Sequence, residues 1–505
     1  MNKKLLLLSL LTTSSIATFA KNKRPNIVFI LADDLGYGDV SYFDANNKIK
    51  TENLDKMASK GVVFTDAHSS SSVSTPTRYG ILTGRYNWRS TLKEGVLSGY
   101  SKALIPANRP TMASMLKKQG YTTAGIGKWH LGWDWNNIEA GQDSVDFSKP
   151  VKNGPISLGF DYFYGFCGSL DMPPYVYIEN DMPTSIPNKY TVSKGKYSHW
   201  RKGLTADDFV HEDVLPNLVN RACTYIKEKA SSRKPYFLYL PIPAPHTPIL
   251  PTKEFRGKSG LGDYGDFVLM VDAMVGRVLE AVNESGEEDN TIIVFTSDNG
   301  CSPAAGITEL IKQGHYPNSI YRGEKADLFD GGHRIPCILQ WPAKVKAHYV
   351  NQTICLTDFY ATFAAINNYK LKDSEGEDSY NLLPAIYSEK EVAPIREAIV
   401  SHSFYGEFTI RQGNWKLLLS PSSGGWSFPR PNNKEALKGL PSMQLYNLST
   451  DVKEQDNLVN KYPEKVQELK ELLLHYIDEG RSTPGVAQKN DNVSQWKQLE
   501  HLKEL

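Results

Sequence analysis

The sequence predicts an α/β protein: a mostly parallel central sheet flanked by helices, followed after about Leu371 by a smaller α+β domain. Three observations predict it. Short β-branched and aromatic runs alternate with helical stretches through the first two thirds of the chain. Between two of these runs, Phe267, Met270, Val271, Met274, Val275, Val278 and Leu279 recur at three and four residues, the apolar stripe of a helix packed on a core. Beyond Leu371 a polar stretch, 372–380, is followed by pieces too short and too strand-like to continue that alternation.

In chain order, residues 1–20 read as an export signal, with Lys3 and Lys4 ahead of an apolar run and small residues ending at Ala20. They contain no cysteine, and no later apolar run reaches the ~18 residues of a membrane span, so an exported, periplasmic protein is expected. The catalytic domain is expected over 21–371, with strands at 26–32, 122–126, 236–241, 291–296 and 335–341. The C-terminal domain is expected over 372–505, with strands at 398–400, 408–411 and 415–419 and a terminal helix at 463–479.

A chain of 505 residues with 40% hydrophobic and 22% charged residues has the composition of an ordinary globular protein, which excludes disordered and disulfide-stapled classes. Fifty-seven Lys and Arg against 56 Asp and Glu leave a net charge of +1, which argues against nucleic acid as a partner and leaves anion binding to a local site. Cys167, Cys223, Cys301, Cys337 and Cys355 lack zinc-type spacing and read as small buried hydrophobes, with one bridge among them permitted by export.

Ligands of an open parallel sheet gather at the carboxyl ends of its strands, so the residues after each strand carry the chemistry. The first strand runs into Asp33-Asp34 and the fourth into Asp298-Asn299, an oxygen set suited to a hard cation. A lone Asp pair also fits a turn or a helix cap. The second strand leads to Lys128 and His130, and the third to His246 within Pro245-His246-Thr247-Pro248, where proline stiffens the loop. Either histidine alone also fits a structural role; Lys325 alone would be an ordinary solvated lysine.

The most specific run is Ser74-Thr75-Pro76-Thr77-Arg78, continuing through Leu82-Thr83-Gly84-Arg85. It resembles the signature of type I sulfatases, and the runs at Asp33-Asp34, Gly127 to Gly132, Ala244 to Pro248, Ser297 to Gly300 and Arg322 to Lys325 occur in that family's order. Ile410 to Lys416 and Leu445 to Leu448 resemble its C-terminal domain, extending the likeness over nearly the whole mature chain. Thr77 departs from the small Ser or Ala common at that position.

The resemblance implies an alkaline-phosphatase-like fold and a sulfuric ester hydrolase in which Ser74 is oxidised to formylglycine by a radical-type maturation enzyme. It implies that Asp33, Asp34, Asp298 and Asn299, with the modified Ser74, hold one Ca²⁺. Arg78 and Lys128 are then expected to position the nucleophile, His130 to accept its proton, and His246 and Lys325 to meet the sulfate and its leaving oxygen, with His246 as general acid. Ser169 to Tyr175 and Gly332-His333-Arg334 resemble motifs of a branch acting on sulfated galactose or N-acetylgalactosamine, which makes Asp171, His333 and Arg334 the expected sugar contacts. For Asp171 a turn cap, and for Arg334 a carboxylate partner, fits equally well. The expected substrate is a 6-O-sulfated saccharide, with 3-O- and 4-O-sulfates as alternatives. Two rivals remain at this point: a phosphoesterase of the same fold using unmodified Ser74 and two zinc ions, and a non-catalytic binder of sulfated glycans.

Overall fold

A computed structural model describes residues 24–46 and 48–505; the export signal expected over 1–20 lies outside them. A ten-stranded sheet forms the centre. In spatial order its strands are His348–Val350, Val62–Phe64, Cys337–Gln340, Thr291–Ser297, Asn26–Asp33, Tyr236–Pro245, Thr122–Lys128, Tyr162–Phe166, Ile178–Glu179 and Met182–Pro183. The five strands from Thr291–Ser297 to Tyr162–Phe166 run parallel to one another, and all eight residues of the central strand Asn26–Asp33 are buried. Helices cover both faces of such a sheet, so its strands read as continuous apolar runs rather than alternating ones.

Four of the five expected inner strands are parallel; the fifth, Cys337–Gln340, pairs antiparallel with Thr291–Ser297. Composition does not separate the two directions for a strand buried on both faces. The predicted apolar stripe lies on the helix Gly262–Glu284, whose Phe267, Met270, Val271, Val275 and Val278 are buried. At about 1.5–3 kcal/mol for each fully buried side chain, that stripe anchors the helix strongly.

A four-stranded antiparallel sheet, Ile399–His402, Phe408–Gln412, Trp415–Leu418 and Gln444–Asn447, forms the smaller C-terminal unit. The helix Pro463–Asp478 packs Val466, Leu469, Leu473, Tyr476 and Ile477 into its core, close to the expected bounds. The change of character after Leu371 does not coincide with a change of core. Leu382, Ala385 and Ile386 still pack into the large core, whereas Tyr86 and Trp88, far earlier in the chain, pack into the small one. All five cysteines are free, so the bridge that export permits is not formed. No helix among the described residues is long and apolar enough to cross a membrane.

Candidate active site

The carboxyl ends of four adjacent parallel strands converge on one spot. Asp33 ends Asn26–Asp33, Lys128 ends Thr122–Lys128, His246 follows Tyr236–Pro245, and Asp298 and Asn299 follow Thr291–Ser297. Gly127 allows Lys128 to reach this point, because at φ 140° any Cβ would stand 2.1 Å from the carbonyl oxygen of Pro241. Ser74 opens the helix Ser74–Thr83, every residue of which is buried. Its side chain therefore meets the strand ends at the positive end of a helix dipole.

The acids and cations interlock. Lys128 Nζ lies 2.7 Å from Asp33 Oδ2, and Lys325 Nζ lies 2.7 Å from Asp34 Oδ1. Arg78 donates to Asp298 Oδ2 through Nε at 3.2 Å and Nη2 at 2.8 Å, and to the Lys128 carbonyl at 3.1 Å. Burial alone would raise the carboxyl of Asp33, but Lys128, His246 and Arg78 outweigh it and hold that group far below the usual carboxylate range. Burial, together with the charge of Asp33, pushes Asp298 up to about 6. Despite burial, Lys325 is held protonated by Asp34, Asp33 and Asp298, which raise its ammonium above the ordinary lysine value.

The two histidines are oriented differently. His130 Nε2 lies 2.7 Å from the Leu97 carbonyl, which can only accept, so Nε2 carries the hydrogen and the unpartnered Nδ1 holds a free lone pair. Burial, then Lys128 and Arg78, lower His130 well below the ordinary imidazole value and keep it neutral. His246 Nδ1 faces the Thr247 carbonyl, which leaves Nε2 toward Ser169 Oγ at 3.2 Å and Asp34 Oδ2 at 3.6 Å.

Ser74, His130, His246, Lys325 and Asp171 share a cavity of about 330 Å³, with Arg78 and Lys128 fully buried nearby. His333 and Arg334 do not line it. His333 is hydrogen-bonded to His68 at 2.9 Å and to the Leu328 carbonyl at 3.0 Å. Arg334 pairs with Asp66 at 3.0 Å, so the carboxylate-partner alternative describes it. Although His68, Asp330 and His333 stand close enough to ligate a cation, Lys416 Nζ already supplies one to Asp330 at 2.7 Å.

The cavity includes residues that no motif singled out for a role. Ser169 Oγ bridges Lys128 Nζ at 3.2 Å and His246, while Arg201 pairs with Asp171 at 2.7 Å. His199 comes from the same hairpin as Arg201, and Phe404 and Trp426 from the C-terminal unit, their rings 5.4 Å apart. Alone, a serine or a tryptophan in a Gly/Ser/Pro-rich loop carries no spacing that would mark it.

The donor set fits one hard cation. Asp33 Oδ1 and Asn299 Oδ1 are buried without a hydrogen-bond partner, and an unsatisfied buried oxygen is costly unless something positive meets it. His246 is the single imidazole that joins Asp33 and Asp34 as a ligating cluster among the described residues, unlike the several histidines of a two-zinc phosphoesterase.

A family model described as Sulfatase matches residues 25–369. This chain belongs to the sulfatase family. It is 33% identical over 492 residues to an N-acetylgalactosamine-6-O-sulfatase of Bacteroides thetaiotaomicron, covering 90% of this chain and 93% of that one. It is 29% identical to human arylsulfatase A, covering 91% of this chain and 89% of the relative. A solved structure connected with glycosaminoglycan metabolism in B. thetaiotaomicron matches with a TM-score of 0.78 at 32% identity, over 90% of this chain and 99% of that one. This sulfatase is thus a sulfuric ester hydrolase, and its mostly parallel sheet is the one the family resemblance implied.

Proposed function

We propose that this sulfatase removes 6-O-sulfate from galactose or N-acetylgalactosamine in host glycans, after conversion of Ser74 to formylglycine by a radical-type maturation enzyme and with one Ca²⁺ bound. The observation that carries the reading is the meeting of Ser74, His130, His246 and Lys325 at one cavity, with His246 also close to the carboxylates of Asp33 and Asp34, and with Asp33 Oδ1 and Asn299 Oδ1 buried without hydrogen-bond partners. The 33% identical relative named for N-acetylgalactosamine 6-sulfate supports the choice of sugar and position. The export signal read at 1–20 supports a periplasmic setting.

Asp33, Asp34, Asp298 and Asn299 would hold the ion. When present, formylglycine supplies a hydrated aldehyde as oxygen nucleophile and Ca²⁺ supplies positive charge to the sulfate oxygens. The chain's own groups do the rest. Lys325 and His246 line the cavity and meet the charged sulfate, whose oxygens gain negative charge as the ester bond breaks. His246 Nε2, the ring atom turned into the site, delivers a proton to the leaving sugar oxygen. Neutral His130 takes a proton at Nδ1 from the hydroxyl at position 74, and Thr75 Oγ bonds the His130 carbonyl at 2.9 Å to keep the two segments together. Arg78 and Lys128 fix the acids beneath and neutralise them. Asp171 Oδ1, buried and unpartnered, is placed to accept a hydrogen bond from a sugar hydroxyl.

The test is mass spectrometry of the tryptic peptide 61–78 from anaerobically prepared protein, combined with assays on 6-O-, 4-O- and 3-O-sulfated galactose and N-acetylgalactosamine. Loss of two hydrogens at Ser74, with the 6-O-sulfates turned over fastest, is the expected result. An intact serine in fully active enzyme would overturn the nucleophile, and preference for another position would overturn the substrate.

A further inference from the structure

One surface beside the cavity is used by nothing described so far. The strands Lys189–Ser193 and Trp200–Thr205 form a separate two-stranded hairpin. Between residues 189 and 206 the chain carries Lys189, Lys194, Lys196, Arg201 and Lys202 and not one acid, although the protein as a whole is nearly neutral. The hairpin is tied to the site at its tip, where the Tyr197 carbonyl accepts from the amide of Ile249, three residues after His246. His199 and Arg201 form part of the cavity wall, so the basic ribbon begins at the mouth where the sulfated sugar enters.

Acids from outside the hairpin offset only part of this charge. Asp207 meets Lys189 at 3.0 Å, Glu309 meets Lys196 at 3.8 Å and Asp171 meets Arg201 at 2.7 Å. Lys194 and Lys202 are exposed and form no ion pair among the described residues. Beside them Tyr190 is 58% exposed, with Lys202 Nζ 5.5 Å from its ring centre. Unpaired ammonium groups interleaved with an exposed aromatic face suit a polymer of anionic sugars, whose carboxylates or sulfates meet the cations while a ring lies on the tyrosine.

We propose that the hairpin is a second binding surface, which holds the anionic part of the glycan that continues beyond the sulfated sugar. The proposal rests on the carbohydrate reading above and deepens it: the preferred substrate is a polyanionic oligosaccharide rather than a neutral one. It is tested with the double variant Lys194→Gln/Lys202→Gln, at two positions that do not line the cavity, and with Lys194→Arg/Lys202→Arg.

Two probes are compared: 6-O-sulfated N-acetylgalactosamine, and a hexasaccharide alternating that sugar with glucuronate. The glutamine variant is expected to raise KM for the hexasaccharide about fivefold, as two exposed charge contacts allow, with kcat and both monosaccharide constants unchanged. Its KM should also respond less steeply to NaCl, and the arginine variant should restore the wild-type values. An unchanged hexasaccharide KM, or an equal rise for the monosaccharide, would overturn the proposal. Calorimetric titration of the hexasaccharide separates this failure from failure of the catalytic reading. Weaker, less salt-dependent binding to the glutamine variant supports the surface even if neither sugar is turned over, and equal binding to both proteins rejects it.

Discussion

Lys325 Nζ stands 2.7 Å from Asp34 Oδ1, joining two segments 291 residues apart, with 7% and 2% of the side chains exposed. The ammonium thereby serves two purposes: it offsets a buried carboxylate and lines the cavity where a sulfate would sit.

Replacing it by alanine is therefore expected to lower kcat by about 10²–10³, the scale for removing one preorganised charge from a developing anion. The same substitution costs some thermal stability, because Asp34 loses its nearest cation. Steady-state kinetics beside calorimetry check this; losses of activity no greater than the accompanying losses of thermal stability, in Lys325→Ala and in His246→Ala alike, would contradict a role in the chemical step.

Asn299 Oδ1 and Asp33 Oδ1 lack hydrogen-bond partners, Asp33 Oδ1 having only Arg78 Nη2 at 3.6 Å, whereas Asn299 Nδ2 bonds Asp34 Oδ1 at 2.7 Å. Calcium binding to such a set is expected to add about 2.7 kcal/mol of stability at a hundred times the dissociation constant, and so to raise the melting temperature. Scanning calorimetry with chelator and then with CaCl₂ should show the shift in the wild type and lose most of it in Asn299→Ala. Identical melting in both conditions would exclude the ion.

His402 is fully buried with neither ring nitrogen partnered, and burial, aided by nearby Lys93, pushes it down to about 3. The sign follows from which state binds the proton. Above the ordinary value of 6.5 the ring is neutral in both states and costs nothing. Below it the unfolded chain takes up a proton that the folded chain refuses, so stability falls by about 1.4 kcal/mol per pH unit until the folded value is reached. His402→Phe should flatten that decline between pH 6.5 and 3, measured by urea unfolding across the range; an unaltered slope would mean that the ring is not the source.

Trp426 contributes an aromatic wall whose neighbour is Phe404. Trp426→Ala is expected to raise KM for sulfated sugars by about tenfold, as loss of one stacking face implies, while a small aryl sulfate is turned over with unchanged constants. An equal effect on both substrates would place the tryptophan in the fold rather than in sugar binding.

Asp33, Asp34, Lys128, His130, His246, Asp298 and Asn299 were legible as one cluster because each ends a strand or lies one or two residues past it, where chain direction settles the side chain's destination. His333 and Arg334 were not. The likeness of Gly332-His333-Arg334 to a sugar-binding motif suggested the cavity, but His333 bonds His68 and Leu328 and Arg334 goes to Asp66. Ser169 and Trp426 lie on irregular segments, and no period of 2 or 3.6 predicts where such residues end up. The strand Tyr162–Phe166 went unread because five residues including Gly165 carry too weak a pattern. The two cores share chain segments because Tyr86 and Trp88 follow the Ser74 helix directly into the smaller unit.

That last arrangement sets a clock. Arg89 Nη1 bonds the Tyr476 carbonyl, Arg85 Nη2 the Lys489 carbonyl 404 residues away, and Lys93 Nζ the Asp491 carbonyl. At about 5–20 residues per second, roughly 20–80 s of synthesis separate the signature segment from the residues that seal it. Throughout that interval Arg85, Arg89 and Lys93 lack these acceptors. The finished molecule covers the whole helix. The segment that follows Ser74 thus gains its last anchors only when the end of the chain arrives, and a pause in translation would lengthen the wait.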